Sequence, residues 1–61
     1  MPQVLVYSVE GRTAAQKKGL CEAITAAVVK HFAVSPEAVT VQIVESDKDS
    51  KSKAGKMFSE L

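Results

Sequence analysis

Two residues near the start of this chain have the types and positions for chemistry. Pro2 follows Met1 and runs straight into an alternating apolar segment, Val4-Leu5-Val6-Tyr7. If Met1 is removed, Pro2 becomes a free secondary amine fixed to a strand. An α-amino group has a pKa of about 7.7–8.0, and desolvation or nearby positive charge lowers it, so this amine is suited to act as a base near neutral pH. With Met1 in place the same nitrogen is a tertiary amide with no basicity, and an ordinary frayed terminus is the plain alternative for the dipeptide. Arg12 is the second candidate. It stands just before Thr13, the N-cap of a predicted helix, where the positive end of the helix dipole makes a cation cost a few tenths to about 1 kcal/mol. A residue that breaks a local rule is a candidate for function. Beside free helix N–H groups, a guanidinium makes an anion site suited to a carboxylate or phosphate. An exposed arginine paired with Glu10 is the open alternative.

The remaining polar side chains have blander readings. Lys17 and Lys18 read as solvated helix charges, His31 as a cation suited to the helix C-terminus, Cys21 and Tyr7 as packing residues, and Glu45 as a strand-end charge. There is no Ser/His/Asp arrangement, no Gly-rich phosphate loop and no pair of histidines at metal-ligand spacing, so no metal or cofactor is expected.

The elements that must position Pro2 and Arg12 follow from periodicity. Gln3 to Val9 puts Leu5, Tyr7 and Val9 on one face and Val4, Val6 and Ser8 on the other, apolar on both sides as in a buried strand. Glu10-Gly11-Arg12 turns the chain, and Thr13-Ala14-Ala15-Gln16 has the spacing of a capping box that starts a helix. Along that helix Leu20, Ala23, Ile24, Ala27, Val28 and His31 form the predicted inward stripe, and Cys21, Val29 and Phe32 widen it. Gly19 weakens the helix by somewhat under about 1 kcal/mol, which suggests close backbone packing. Ser35-Pro36-Glu37 marks a turn, with Pro36 preset for a first helical position and Ser35 as its candidate cap. A second strand follows, with Val39, Val41 and Ile43 on one face and Thr40, Gln42 and Val44 on the other. Ser46 to Lys53 holds no apolar residue and predicts a solvated, mobile loop, while Met57, Phe58 and Leu61 predict a tail that docks on a neighbouring subunit. The whole is an α+β chain: a single domain over 1–61, a short β-α-β unit with parallel strands and a right-handed crossover.

Composition limits how such a unit can be stable. A chain of 61 residues with three aromatic side chains and one cysteine has a marginal core, no intramolecular disulfide and no Cys/His cluster for a structural metal. Two strands do not make a stable sheet in water, so the sheet must be completed by oligomerisation. Eight basic and seven acidic residues are interspersed to a net charge of +1, which argues against a nucleic-acid partner. No apolar run approaches the roughly 20 residues of a membrane span, and no signal-peptide pattern opens the chain, so no membrane partner and a cytoplasmic location are expected.

Pro2 at the start of a strand, Val9-Glu10-Gly11-Arg12-Thr13, Gln16-Lys17, a helix leading to a strand that ends in Glu45, and the Ala54-Gly55-Lys56 tail together resemble the 4-oxalocrotonate tautomerase family over nearly the whole chain. The resemblance implies a dimer-based hexamer in which Met1 is removed, and a homo-oligomer is expected here. In such proteins the proline nitrogen shuttles a proton between an enol or dienol and its keto tautomer. Pro2 matches that base, and Arg12 matches the arginine that holds a substrate carboxylate, often across a subunit boundary. The implied partner is a small enol or 2-oxo carboxylic acid, with no cofactor. Two positions depart from the family pattern. Thr40 stands where the best-known members carry a second arginine, and a hydroxyl cannot replace its charge, so Thr40 at most orients substrate. Lys51 stands near the position of an aromatic pocket wall; it or Lys53 would instead supply positive charge that favours the neutral amine. These departures favour a monocarboxylate of enolpyruvate type. They also keep open a second reading, a non-catalytic oligomeric subunit or small-molecule binding module on the same scaffold.

Overall fold

The computed structural model describes residues 1–61. Strand β1 (Gln3–Val9) leads into helix α1 (Ala14–Phe32), a single 3-10 turn (Pro36–Ala38) and strand β2 (Thr40–Ser46). The chain closes with a small hairpin, β3 (Ser52–Lys53) and β4 (Lys56–Met57), and a last 3-10 turn at Phe58–Glu60. The strands β1 and β2 are parallel, in a register that sets Gln3 opposite Thr40 and Val9 opposite Ser46. The α+β class and the β-α-β order are therefore as the periodicity predicts.

Local sequence explains each boundary. Thr13 caps α1: its hydroxyl accepts from the Gln16 amide at 3.1 Å, while the Gln16 side chain accepts from the Thr13 amide at 3.0 Å. This is the expected capping box, which satisfies two otherwise orphaned donors. At the other end Ala33 takes a left-handed conformation, φ 55°, and its amide donates to the Val29 carbonyl, a role usually left to glycine because a Cβ is unfavourable there. Thr25 sits in mid-helix with its hydroxyl turned back to the Cys21 carbonyl at 2.8 Å, so its polar atom needs no outside partner. Pro36 opens its 3-10 turn as expected, but Ser35 makes no side-chain capping bond; a one-turn helix offers only one or two orphan donors to cap.

The helix lies on one face of the β1–β2 pair. Val6, Ser8 and Ile43 face it across a groove that also includes Gln16, Lys17 and Leu20. Within α1 the half-buried positions are Lys17, Cys21, Ile24, Thr25, Val28 and Val29. The inward stripe thus differs in part from the one expected: Ile24 and Val28 belong to it and Leu20 borders the groove, whereas Ala23, Ala27 and His31 lie on an exposed flank. Periodicity alone did not resolve this because the helix is apolar over too wide an arc to show which edge meets the sheet. The opposite face of the sheet is open, with Leu5 44% and Tyr7 70% exposed.

No residue of the protomer is buried. Its radius of gyration is 14.5 Å, against about 10 Å for a compact chain of this length. Both sheet edges, the open sheet face and the exposed flank of α1 leave the apolar surface uncovered within one chain. A Cβ added at Gly19 meets nothing within 4 Å, so the close packing expected there is not made inside the protomer.

The segment after β2 differs from the mobile loop predicted. Asp47 accepts from the Asp49 amide at 2.8 Å, an Asx turn that starts the reversal. The Ser50 amide donates to the Asp47 carbonyl at 3.1 Å, and Ser52–Lys53 pairs with Lys56–Met57. Ala54 and Gly55, at φ 54° and 81°, are the two central residues of the hairpin turn, as a primed turn requires. The polar composition is real, but backbone pairing needs no apolar side chains and gives the loop its order.

Candidate active site

Each end of β1 holds one of the two chemically suited residues. At the start, the Thr40 amide donates to the Pro2 carbonyl at 3.1 Å, which extends the parallel ladder by one bond and fixes Pro2 against β2. Pro2 is half-buried, while Met1 is 97% exposed. Thr40 lies opposite Gln3 and is exposed. Pro2 and Thr40 are therefore neighbours on adjacent strands.

At the far end the Glu10 amide donates to the Ser46 carbonyl at 2.9 Å. Gly11 then takes φ 123°, a backbone conformation that side-chain-bearing residues rarely adopt, so the turn into α1 depends on glycine. This turn sets Arg12 at the mouth of the helix. Arg12 makes no ion pair, with Glu10 or with any other residue, because the chain's one salt bridge is elsewhere. The guanidinium stands between two clefts. One is the groove of about 280 Å³ with Val6, Leu20 and Ile43 on its walls; the other, about 520 Å³, brings in Lys48, Lys51 and Phe58, which flank the C-terminal hairpin in the chain.

The salt bridge joins Lys17 to Glu45 at 3.0 Å. Neither residue is the free surface charge that its local sequence predicts. The pair pins the first turn of α1 to the end of β2, next to Arg12, and at about one-third exposure it contributes at most roughly 1 kcal/mol. Its partners are 28 residues apart in the chain, so no local spacing announces it.

Two residues of the second cleft, Lys48 and Phe58, emerge only from the fold, and they join Lys51 there. The Phe58 amide donates to the Lys51 carbonyl at 2.8 Å and the Ser59 amide to the Lys48 carbonyl at 3.2 Å. The Lys51 ammonium lies 5.3 Å from the centre of the Phe58 ring, within cation–π range. The tail thus folds back on the segment 48–51 of its own chain. Lys53, the other lysine considered as a charge donor, belongs to β3 opposite Lys56 and is on neither cleft.

Neither cleft lined by Arg12 includes Pro2, and at about 3.3 Å per residue the seven residues of β1 set the two ends of the strand roughly 20 Å apart.

This sequence and fold have close relatives. The sequence profile of the family described as Tautomerase enzyme matches residues 2–61. The 2-hydroxymuconate tautomerase of Bacillus subtilis is 43% identical over 61 residues, all of this chain and 98% of that protein. The crystal structure of YwhB, a homologue of 4-oxalocrotonate tautomerase, superposes with a TM-score of 0.88 at 42% identity and covers 98% of both chains. A heterohexamer 4-oxalocrotonate tautomerase from Chloroflexus aurantiacus superposes with a TM-score of 0.90 at 30% identity, covering 100% of this chain and 98% of that one. The chain belongs to the tautomerase family, a family of isomerases.

Proposed function

We propose that this protein catalyses enol–keto tautomerisation of a small 2-oxo carboxylic acid, with the Pro2 amine as the base once Met1 is removed and Arg12 binding the carboxylate. The observation that carries the reading is the placement of Pro2. Its carbonyl is tied to β2 through the Thr40 amide while Met1 projects into solvent. Loss of Met1 therefore sacrifices no packing and leaves an amine at a fixed point of a rigid strand, the kind of support a catalytic base needs. The amine takes a proton from the enol hydroxyl and returns one to the carbon end of the conjugated system. Arg12, unpaired and donor-rich, holds the carboxylate in a bidentate fork and favours the anionic intermediate electrostatically. Thr40, next to Pro2, orients the substrate oxygen through its hydroxyl. No step calls for a cofactor.

With Pro2 and Arg12 at opposite ends of β1, the working site is taken to draw Pro2 from one copy and Arg12 from another. A homo-oligomer built on a dimer-completed sheet, a hexamer by analogy with the relative from Chloroflexus, meets that need and also covers Leu5, Tyr7 and the exposed flank of α1. The test is to establish the N-terminal mass and then follow the decay of enol absorbance with Met-free protein and its Pro2→Ala variant. Positioned general bases contribute about 10²–10⁴-fold, so a loss of at least about 10²-fold is expected. Equal rates would leave the second reading, a binding module on the same scaffold, which the uncharged Thr40 favours.

A further inference from the structure

Helix α1 starts against the local rule. Arg12 and Lys17 place two cations near its positive end, and its first turn contains no acid. Lys17 is offset by Glu45, whose carboxylate accepts from the ammonium at 3.0 Å. Three observations put that carboxylate close to the anchor. Glu45 lies opposite Ser8, which lines both clefts that Arg12 lines. The next residue, Ser46, accepts from the Glu10 amide at 2.9 Å, so the turn that carries Arg12 is tied to the end of β2. Lys17, which holds Glu45, shares a groove with Arg12. Yet the one salt bridge goes to Lys17, and Arg12 is left without a partner. A guanidinium binds a carboxylate through a two-pronged fork, which an ammonium cannot match. An unheld Glu45 would therefore turn to Arg12 and occupy the donors that a substrate carboxylate needs.

We propose that Lys17 is a positioning residue for the anchor: by holding Glu45 it keeps that carboxylate off Arg12, so that the guanidinium stays open to substrate. This rests on the reading of Arg12 as the carboxylate anchor. It gives the Lys17–Glu45 pair a task beyond joining helix to strand, where a partly exposed ion pair adds little. Glu10, the other acid beside Arg12, lines the second cleft and is in no ion pair, so Lys17 has no hold on it.

The experiment is an NMR titration of sorbate into the assembled Met-free protein. Sorbate is a monocarboxylate and not an enol, so occupancy of the anchor is read without turnover by Pro2. Lys17→Met should weaken binding about two- to threefold, as an exposed arginine–carboxylate pair forming in competition would. Lys17→Arg, which can still hold Glu45, should keep the wild-type affinity. Glu45→Gln alone should change binding little, because that carboxylate is already engaged, but added to Lys17→Met it should restore affinity. Glu10→Gln should give no such rescue. A purely mechanical clamp predicts the reverse: Glu45→Gln would weaken binding as much as Lys17→Met, and the double variant would recover nothing. A simple change of local charge predicts additive effects, with Glu45→Gln tightening binding equally with and without Lys17. Either pattern, or unchanged affinity in Lys17→Met, overturns the proposal. Circular dichroism and native mass establish that each variant is folded and assembled. Arg12→Ala separates the two levels of the reading. If it leaves sorbate binding unchanged, the anchor role fails and this inference falls with it; if it weakens binding while the Glu45-dependent rescue is absent, this inference alone is removed.

Discussion

The two ends of β1 differ in almost every physical respect. At the Pro2 end the backbone is locked by a ladder hydrogen bond from the Thr40 amide, and Thr40 lies opposite Gln3. At the Arg12 end the chain crowds three cations around a cleft, breaks the strand with a positive-φ glycine and clamps the helix to β2 through Lys17 and Glu45. A proton shuttle needs a neutral, rigid base, and a carboxylate anchor needs concentrated charge. One short strand cannot offer both in a single place, and the fold keeps the two environments apart along its length. On the proposed reading, the two functions converge when a second copy brings its Arg12 end to the Pro2 end of the first.

The largest expected effect breaks the Pro2 side of this comparison. Protein that retains Met1 should be at least about 10²-fold slower in enol decay than Met-free protein, because acylation of the proline nitrogen abolishes its basicity. Next comes the Arg12 side. Arg12→Ala should lower kcat/KM for a carboxylate enol by about tenfold or more, chiefly through KM, as lost ground-state binding does. An unchanged KM would remove the anchor role. The convergence itself is tested by refolding Pro2→Ala and Arg12→Ala chains together in equal amounts. Random assortment gives about a quarter of sites with both residues native, so the mixture should exceed either parent, whereas a site contained in one chain would show no recovery.

Smaller effects concern the supports. Lys17→Met should cost at most about 1 kcal/mol in a denaturant midpoint and should raise KM slightly, since the clamp it removes adjoins Arg12. Gly19→Ala distinguishes a free helix face from a covered one. If the open space around Gly19 persists in the assembly, the substitution should stabilise by about 0.5–1 kcal/mol. A loss of stability together with a lower native mass would place a neighbouring subunit's backbone against this turn.

Much of this architecture was legible in the chain. The Thr13–Gln16 capping box, the alternation in β1 and β2, the parallel crossover and the positions of Pro2, Arg12 and Thr40 all depend on local periodicity or on short-range spacing. The helix orientation was not, because residues from Leu20 to Phe32 are apolar over so wide an arc that several rotations bury similar area. The ordered hairpin was hidden for a different reason: Ser52–Lys53 and Lys56–Met57 are held by backbone bonds and by the left-handed pair Ala54-Gly55, and only the glycine hints at it.

The sequence by itself determined the element order, the helix start, the two candidate residues and the insufficiency of a 61-residue core, since each is set by residue type and near-neighbour spacing. The tertiary structure alone decided that Lys17 meets Glu45 and that Lys48, Lys51 and Phe58 share a cleft with Arg12. Those relations join residues far apart in the chain, and periodicity carries no information about them.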